Sequence, residues 1–221
     1  MNGSVFEIIG PDMIGPSSSH TAGAARLGKF VHKLISGNID NIDFLLHGSF
    51  AKTYQGHGTD RALMAGILGF NESDERLRDS LNIASNNKIK YKFIETNLGD
   101  VHPNTVKFIV RFKEGGSLEV TGSSIGGGNI KIIEINGLKL EFTGQYPAIL
   151  TKHIDNPGVV NNITKLLAKY DINIAFMSVY RQDKGQEASM VIETDDKLDL
   201  LLLDDIKNIN GIKNAYIINS I

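Results

Sequence analysis

The apolar positions change period near residue 88. Before it they recur in helical steps. Leu27, Phe30, Val31, Leu34 and Ile35 form one stripe, with Arg26, Lys29, His32 and Lys33 opposite. Gly37-Asn38 supplies the stop signal for that helix. Ile42 to Phe50 reads as a strand, and the unbroken Phe44-Leu45-Leu46 predicts burial on both faces. A second helix starts at Thr59, where Ala62, Leu63, Met64, Ala65, Ile67 and Leu68 leave almost no polar face, so it should be buried on more than one side. Glu75 to Ala84 reads as a polar helix capped by Ser73, and Ser4 to Ile9 as a short apolar lead-in.

Beyond Lys88 the steps become those of strands. Val106, Phe108, Val110 and Phe112 alternate with Lys107 and Arg111, the pattern of a half-buried strand. Similar runs lie at 89–95, 118–121, 130–135 and 138–142, with Glu114-Gly115-Gly116-Ser117 and Asn136-Gly137 as hairpin turns. A meander of antiparallel strands with helices on one side gives the class α+β. Gln145-Tyr146-Pro147 marks a boundary between domains 1–147 and 148–221. The second follows a βαββαβ order with helices at 158–168 and 198–207, the ferredoxin-like plan.

Composition narrows the function classes. A chain of 221 residues, 41% hydrophobic, can bury a core for one large or two modest domains. A net charge of −2 without a basic block argues against nucleic-acid and membrane-surface roles, and no apolar run spans a bilayer. The expected location is cytoplasmic. With no cysteine the chain has no thiol nucleophile and no thiolate metal site, so any iron–sulfur cluster must be held by another chain.

The candidate chemistry gathers in turns. In GPSSSHTAG, residues 15–23, Ser17, Ser18, Ser19, His20 and Thr21 run straight into the first helix. One N-cap needs one hydroxyl, so four hydroxyls and an imidazole at a helix start read either as a serine-rich loop with a single cap or as a site for a small carboxylate or phosphate. His57 lies between glycines in GHGTD, with Thr59 as cap and Asp60 in the first turn. His102 sits in HPNT. Histidine titrates near neutral pH and commonly shuttles protons. His32 is expected on a solvated face, and His47 and His153 as structural. Ser124 to Asn129, SIGGGN, is either an anion-cradling loop or a glycine bulge between strands. Asn156-Pro157-Gly158 is either an ordinary capped turn between strand and helix or a tight helix start that leaves amides for a ligand. Leu198 and Leu200 to Leu203 are more apolar than one helix face can bury, which points to a partner chain.

Four motifs in order, GPSSSHTAGAARLG, GSFAKTYQGHGTDRA, TNLGDVHPNT and SIGGGN, resemble the beta subunit of iron–sulfur-dependent L-serine dehydratase. The segment after DNPGVV is similar to an ACT domain, and the N-terminal part is similar to the allosteric substrate-binding domain of some phosphoglycerate dehydrogenases. The resemblance implies L-serine deamination to pyruvate and ammonia with an alpha subunit whose cysteines ligate a [4Fe-4S] cluster; no metal is held by this chain. It implies His20 and His57 as catalytic, with the principal base left open between them and the alpha subunit. It places Ser17, Ser18, Ser19, Thr21, Thr59 and Asp60 near the substrate at the subunit interface. Asn156 and Gly158 are the expected regulatory residues of the ACT domain, which is expected to dimerise. The alternative is an amino-acid-binding regulatory module without chemistry of its own.

Overall fold

A computed structural model describes residues 11–181 and 183–219; the lead-in expected at 4–9 lies outside them. The chain divides into two compact units between Asn136 and Gly137.

The first unit begins with a π-helical turn, Ser18–Gly23, that runs without a break into α1, Ala24–Leu34. Strand β1 spans Ile39–Leu46, α2 Gly48–Thr53 and α3 Thr59–Ile67. A 3-10 turn, Glu75–Asp79, precedes α4, Ser80–Asn86. Strands β2 (Lys90–Glu95), β3 (Thr105–Phe112), β4 (Ser117–Gly126) and β5 (Asn129–Ile135) complete this unit, and β6, Leu138–Phe142, comes after the division. Within this unit the strand order is β2-β1-β3-β4-β5.

Several expectations change. The strand read at 42–50 stops at Leu46, because Gly48 takes a positive φ of 57° and starts α2. Within β1, Ile42, Phe44 and Leu46 are buried while Leu45 is only half-buried, so one face packs on the helices and the other stays partly open. Nor is the sheet a pure antiparallel meander. β1 pairs parallel with β2, Phe44 opposite Phe93, because the chain between them crosses over through α2, α3 and α4. The helix at 75–84 is split in two, and its cap is Asp74, whose carboxylate accepts from the Arg76 amide at 3.0 Å.

Helices α1 and α3 pack backbone to backbone. A Cβ on Gly28 would lie 2.3 Å from the Leu63 carbonyl oxygen, and one on Gly66 would lie 2.1 Å from that of Ala25. Only glycine at both positions permits this approach. Both helices carry their motifs at their N-terminal ends, so this crossing sets the spacing of the motifs.

The second unit holds β7 (Ala148–Ile154), α5 (Val159–Lys169), β8 (Ile174–Arg181), β9 (Glu187–Thr194), α6 (Leu202–Lys207) and β10 (Ile212–Ile218). Its antiparallel sheet runs β10-β7-β9-β8, with Ile149, Met190 and Ile192 packed on Ile163, Leu167 and Leu202 of the helices. Strand β6, on the N-terminal side of the boundary expected at 147, clusters with this unit, and the Ser189 hydroxyl donates to the Lys139 carbonyl at 2.7 Å. The helix expected from 198 begins at Leu202. Leu198 and Leu202 are buried, whereas Leu200 and Leu201 stand 65% and 73% exposed. No helix among the described residues is long and apolar enough to cross a membrane.

Candidate active site

The site is assembled by loops at the carboxyl end of β1 and the N-terminal ends of α1 and α3. Ser17 caps the π-helical turn, its Oγ accepting from the His20 amide at 3.1 Å. The turn then aims the His20 ring back across the fold. His20 Nε2 pairs with the Ser49 hydroxyl at 3.0 Å, and Nδ1 lies 3.5 Å from Ser17 Oγ. Its ring packs edge-on against Phe50, 5.4 Å between centroids, and against His57 at 4.9 Å. The two imidazoles, 37 positions apart in sequence, therefore meet. Burial, and secondarily the neighbouring His57, push the His20 pKa below its ordinary value, favouring the neutral ring.

Gly58 places His57 by adopting a left-handed conformation, φ 69°, immediately before α3. Thr21 is buried, and its hydroxyl donates to the His57 carbonyl at 3.4 Å, tying the two motifs together. Ser18 and Ser19 are half-buried in the same turn. Thr59 is fully buried, and its Oγ1 has no hydrogen-bond partner among the described residues, so it faces the interior and not an open surface. The Asp60 carboxylate accepts from the Arg61 amide at 2.8 Å, and burial raises its pKa.

The other motifs brace this pair. The Pro103 carbonyl accepts from the amides of Ser49 (2.8 Å) and Phe50 (3.4 Å), fixing the start of α2 and hence the hydroxyl that holds His20. His102 itself is exposed, with Nδ1 accepting from the Asn104 amide. His47 Nδ1 accepts from the Leu98 amide and His32 Nδ1 pairs with the Ile67 carbonyl. SIGGGN is the turn of the β4–β5 hairpin, with positive φ at Gly126, Gly127 and Gly128. Arg26 holds it from α1, donating to the Gly128 carbonyl at 3.1 Å while pairing with Glu72 at 2.6 Å. Buried Ser124 fills the space where a Cβ on Gly23 would stand, 2.0 Å from its hydroxyl.

Among the described residues no three His, Asp or Glu side chains converge on a metal position, and the chain has no cysteine. In the second unit, Asn156 to Gly158 form the turn into α5, with Gly158 at φ 98° and Asn156 exposed.

A family model described as serine dehydratase beta chain matches residues 4–86, and one described as ACT domain matches residues 148–211. A probable L-serine dehydratase beta chain of Bacillus subtilis is 46% identical over 209 residues, covering 95% of this chain and 94% of that one. The chain belongs to the L-serine dehydratase beta-chain family. An L-serine dehydratase beta chain of Peptoniphilus asaccharolyticus is 43% identical over 196 residues, covering 88% of each. A D-3-phosphoglycerate dehydrogenase of Methanocaldococcus jannaschii is 28% identical over 205 residues, covering 89% of this chain but 37% of that protein.

In this serine dehydratase beta chain, both histidine motifs fall inside the matched segment 4–86, while the HPNT and SIGGGN turns that brace them fall outside it. Sequence reasoning did not single out Ser49, since a serine starting a short helix carries no signal of its own. Arg61 reads in the sequence only as a possible partner of Asp60 and Arg78 not at all, yet both line a cleft of about 240 Å³ together with Thr21, Gln55 and His57.

Proposed function

We propose that this chain is the histidine-bearing half of an L-serine dehydratase that converts L-serine to pyruvate and ammonia together with a cluster-bearing alpha subunit. The observation that carries this reading is the meeting of His20 and His57, 4.9 Å apart between ring centroids, inside the family's matched segment. Loss of water from serine removes the α-proton and the β-hydroxyl; aminoacrylate then tautomerises and is hydrolysed to the keto acid and ammonia. His57 is exposed, whereas both nitrogens of His20 lie against hydroxyls. We therefore assign the α-proton transfer to His57 and the orientation of that ring to neutral His20. Ser17, Ser18, Ser19 and Thr21 would line the substrate path, with Thr59 and Asp60 supporting the His57 turn. A [4Fe-4S] cluster held by the partner would supply the Lewis acidity that the departing hydroxide needs.

The second unit is proposed as a regulatory ACT domain that pairs with a second copy, its exposed Leu200 and Leu201 supplying apolar surface and Asn156 and Gly158 the amino-acid contact. The similarity to a phosphoglycerate dehydrogenase favours, as the second reading, a binding module without chemistry. Co-expression with a cysteine-rich partner and an assay of serine-dependent pyruvate separates the two. His57→Ala should cut turnover by about 10²-fold or more with the complex intact; a change below about threefold refutes the proton-transfer role and leaves the binding module.

A further inference from the structure

The cleft beside His57 has a composition that proton transfer alone does not require. Its walls come from the first motif (Gly15, Thr21), from the turn before α3 (Gln55, His57) and from two arginines, Arg61 on the first turn of α3 and Arg78 in the 3-10 turn. None of the residues lining it is acidic. Among the described residues neither Arg61 nor Arg78 has a carboxylate within ion-pair distance, although Arg76, two positions away, is paired with Asp74. The backbone segments that carry the two arginines are tied together, since the Arg61 carbonyl accepts from buried Ser80 at 2.7 Å, immediately after the 3-10 turn. Asp60, next to Arg61 in the chain, interacts with it electrostatically but does not line the cleft, so an anion entering there meets two guanidinium groups and no carboxylate in the walls. A planar guanidinium pairs best with a carboxylate, which it can grip with two hydrogen bonds. At about 240 Å³ the cleft falls below the roughly 300–1,000 Å³ of drug-sized sites and suits a molecule of a few heavy atoms.

We propose that Arg61 and Arg78 clamp the carboxylate of the amino-acid substrate in this cleft, presenting its α-carbon to His57. This rests on the reading of His57 as the group that takes the α-proton. It adds what that reading lacks, a reason why the substrate must be an α-amino acid and not an amino alcohol.

Two measurements test it. In the two-chain enzyme, Arg61→Gln and Arg78→Gln should each raise KM for L-serine by about 10- to 100-fold, the worth of one charged hydrogen-bond partner. kcat should change less than threefold, as for binding shared by ground and transition states. In the isolated full-length chain labelled with 15N, L-serine should shift the side-chain Nε–H signals of Arg61 and Arg78 saturably, and L-serinamide, which lacks the charge, should not. Unchanged KM in both variants overturns the clamp while leaving the His57 assignment intact. If the wild-type pair makes no pyruvate, the dehydratase reading fails, and the arginine signals still decide the site. Equal shifts from L-serine and L-serinamide, or shifts from inorganic phosphate that L-serine does not displace, overturn it as well.

Discussion

Replacing Gly28 with alanine perturbs the α1–α3 crossing at its tightest point. The added methyl would meet the Leu63 carbonyl oxygen at 2.3 Å and the Gly66 Cα at 2.9 Å. Non-bonded carbon contacts settle near 3.5–4.0 Å, so the helices must part by about 1 Å. Overpacking costs about 1–3 kcal/mol. Here both obstacles are backbone atoms, which cannot rotate away, so the upper end applies. Alanine returns about 1 kcal/mol through helix propensity. The net loss is then about 2 kcal/mol, or about 4–8 °C in Tm for a chain of this size. Because the same crossing spaces the His20 and His57 turns, a displacement of about 1 Å should also lower kcat by about 10- to 100-fold at temperatures where the variant is folded. Thermal unfolding and pyruvate formation by the two-chain enzyme measure the two effects. Gly66→Ala should behave alike, and the double variant should cost less than the sum, because one separation relieves both clashes. A Tm within about 1 °C of wild type with full activity would refute the close-approach argument.

Three further outcomes follow from the geometry. Arg26→Met removes the guanidinium that joins Glu72 to the Gly128 carbonyl and should cost about 1–3 kcal/mol in urea unfolding, with Glu72→Gln milder because it retains a hydrogen-bond acceptor. Gly158→Ala meets no atom within 4 Å, so its only penalty is the left-handed backbone at φ 98°, about 1–2 kcal/mol read as a lower melting point of the ACT unit. Stability should fall on acidification in two windows. The first starts at about pH 6.5 and runs downward, where the unfolded chain takes up protons that His20 and His153, both with lowered pKa, refuse; His20→Gln should shrink it. The second runs from about pH 4.5 toward 2, where Glu187, held at about 2 by Lys152 and Lys213, is protonated at last.

The strands after Lys88 were legible because alternation such as Val106 to Phe112 reports one buried face directly. Strand β6 was placed at its observed limits, 138–142. The parallel pairing of β1 with β2 was not legible, since nothing local in either strand records which neighbour the crossover reaches. Helix α2 escaped notice because its six residues are too few to display a period and it is held from outside, by the Pro103 carbonyl. The two histidine turns stood out by composition. Their convergence did not, because it depends on two glycines whose requirement is a distance between helices and not a conformation. The SIGGGN glycines read as a bulge between strands or as an anion cradle, and the structure makes them the turn of a hairpin.

Helix α3 has almost no wet side: every residue from Ala62 to Ile67 is buried, and solvent reaches chiefly Arg61 near its start. Amides in such a helix exchange with deuterium only when the whole surrounding unit opens, whereas surface loops breathe freely. His57 thus hangs from a helix whose amides should be among the last of its unit to exchange. Whatever else around the two imidazoles fluctuates, the anchor of one of them keeps its place for as long as the protein remains folded.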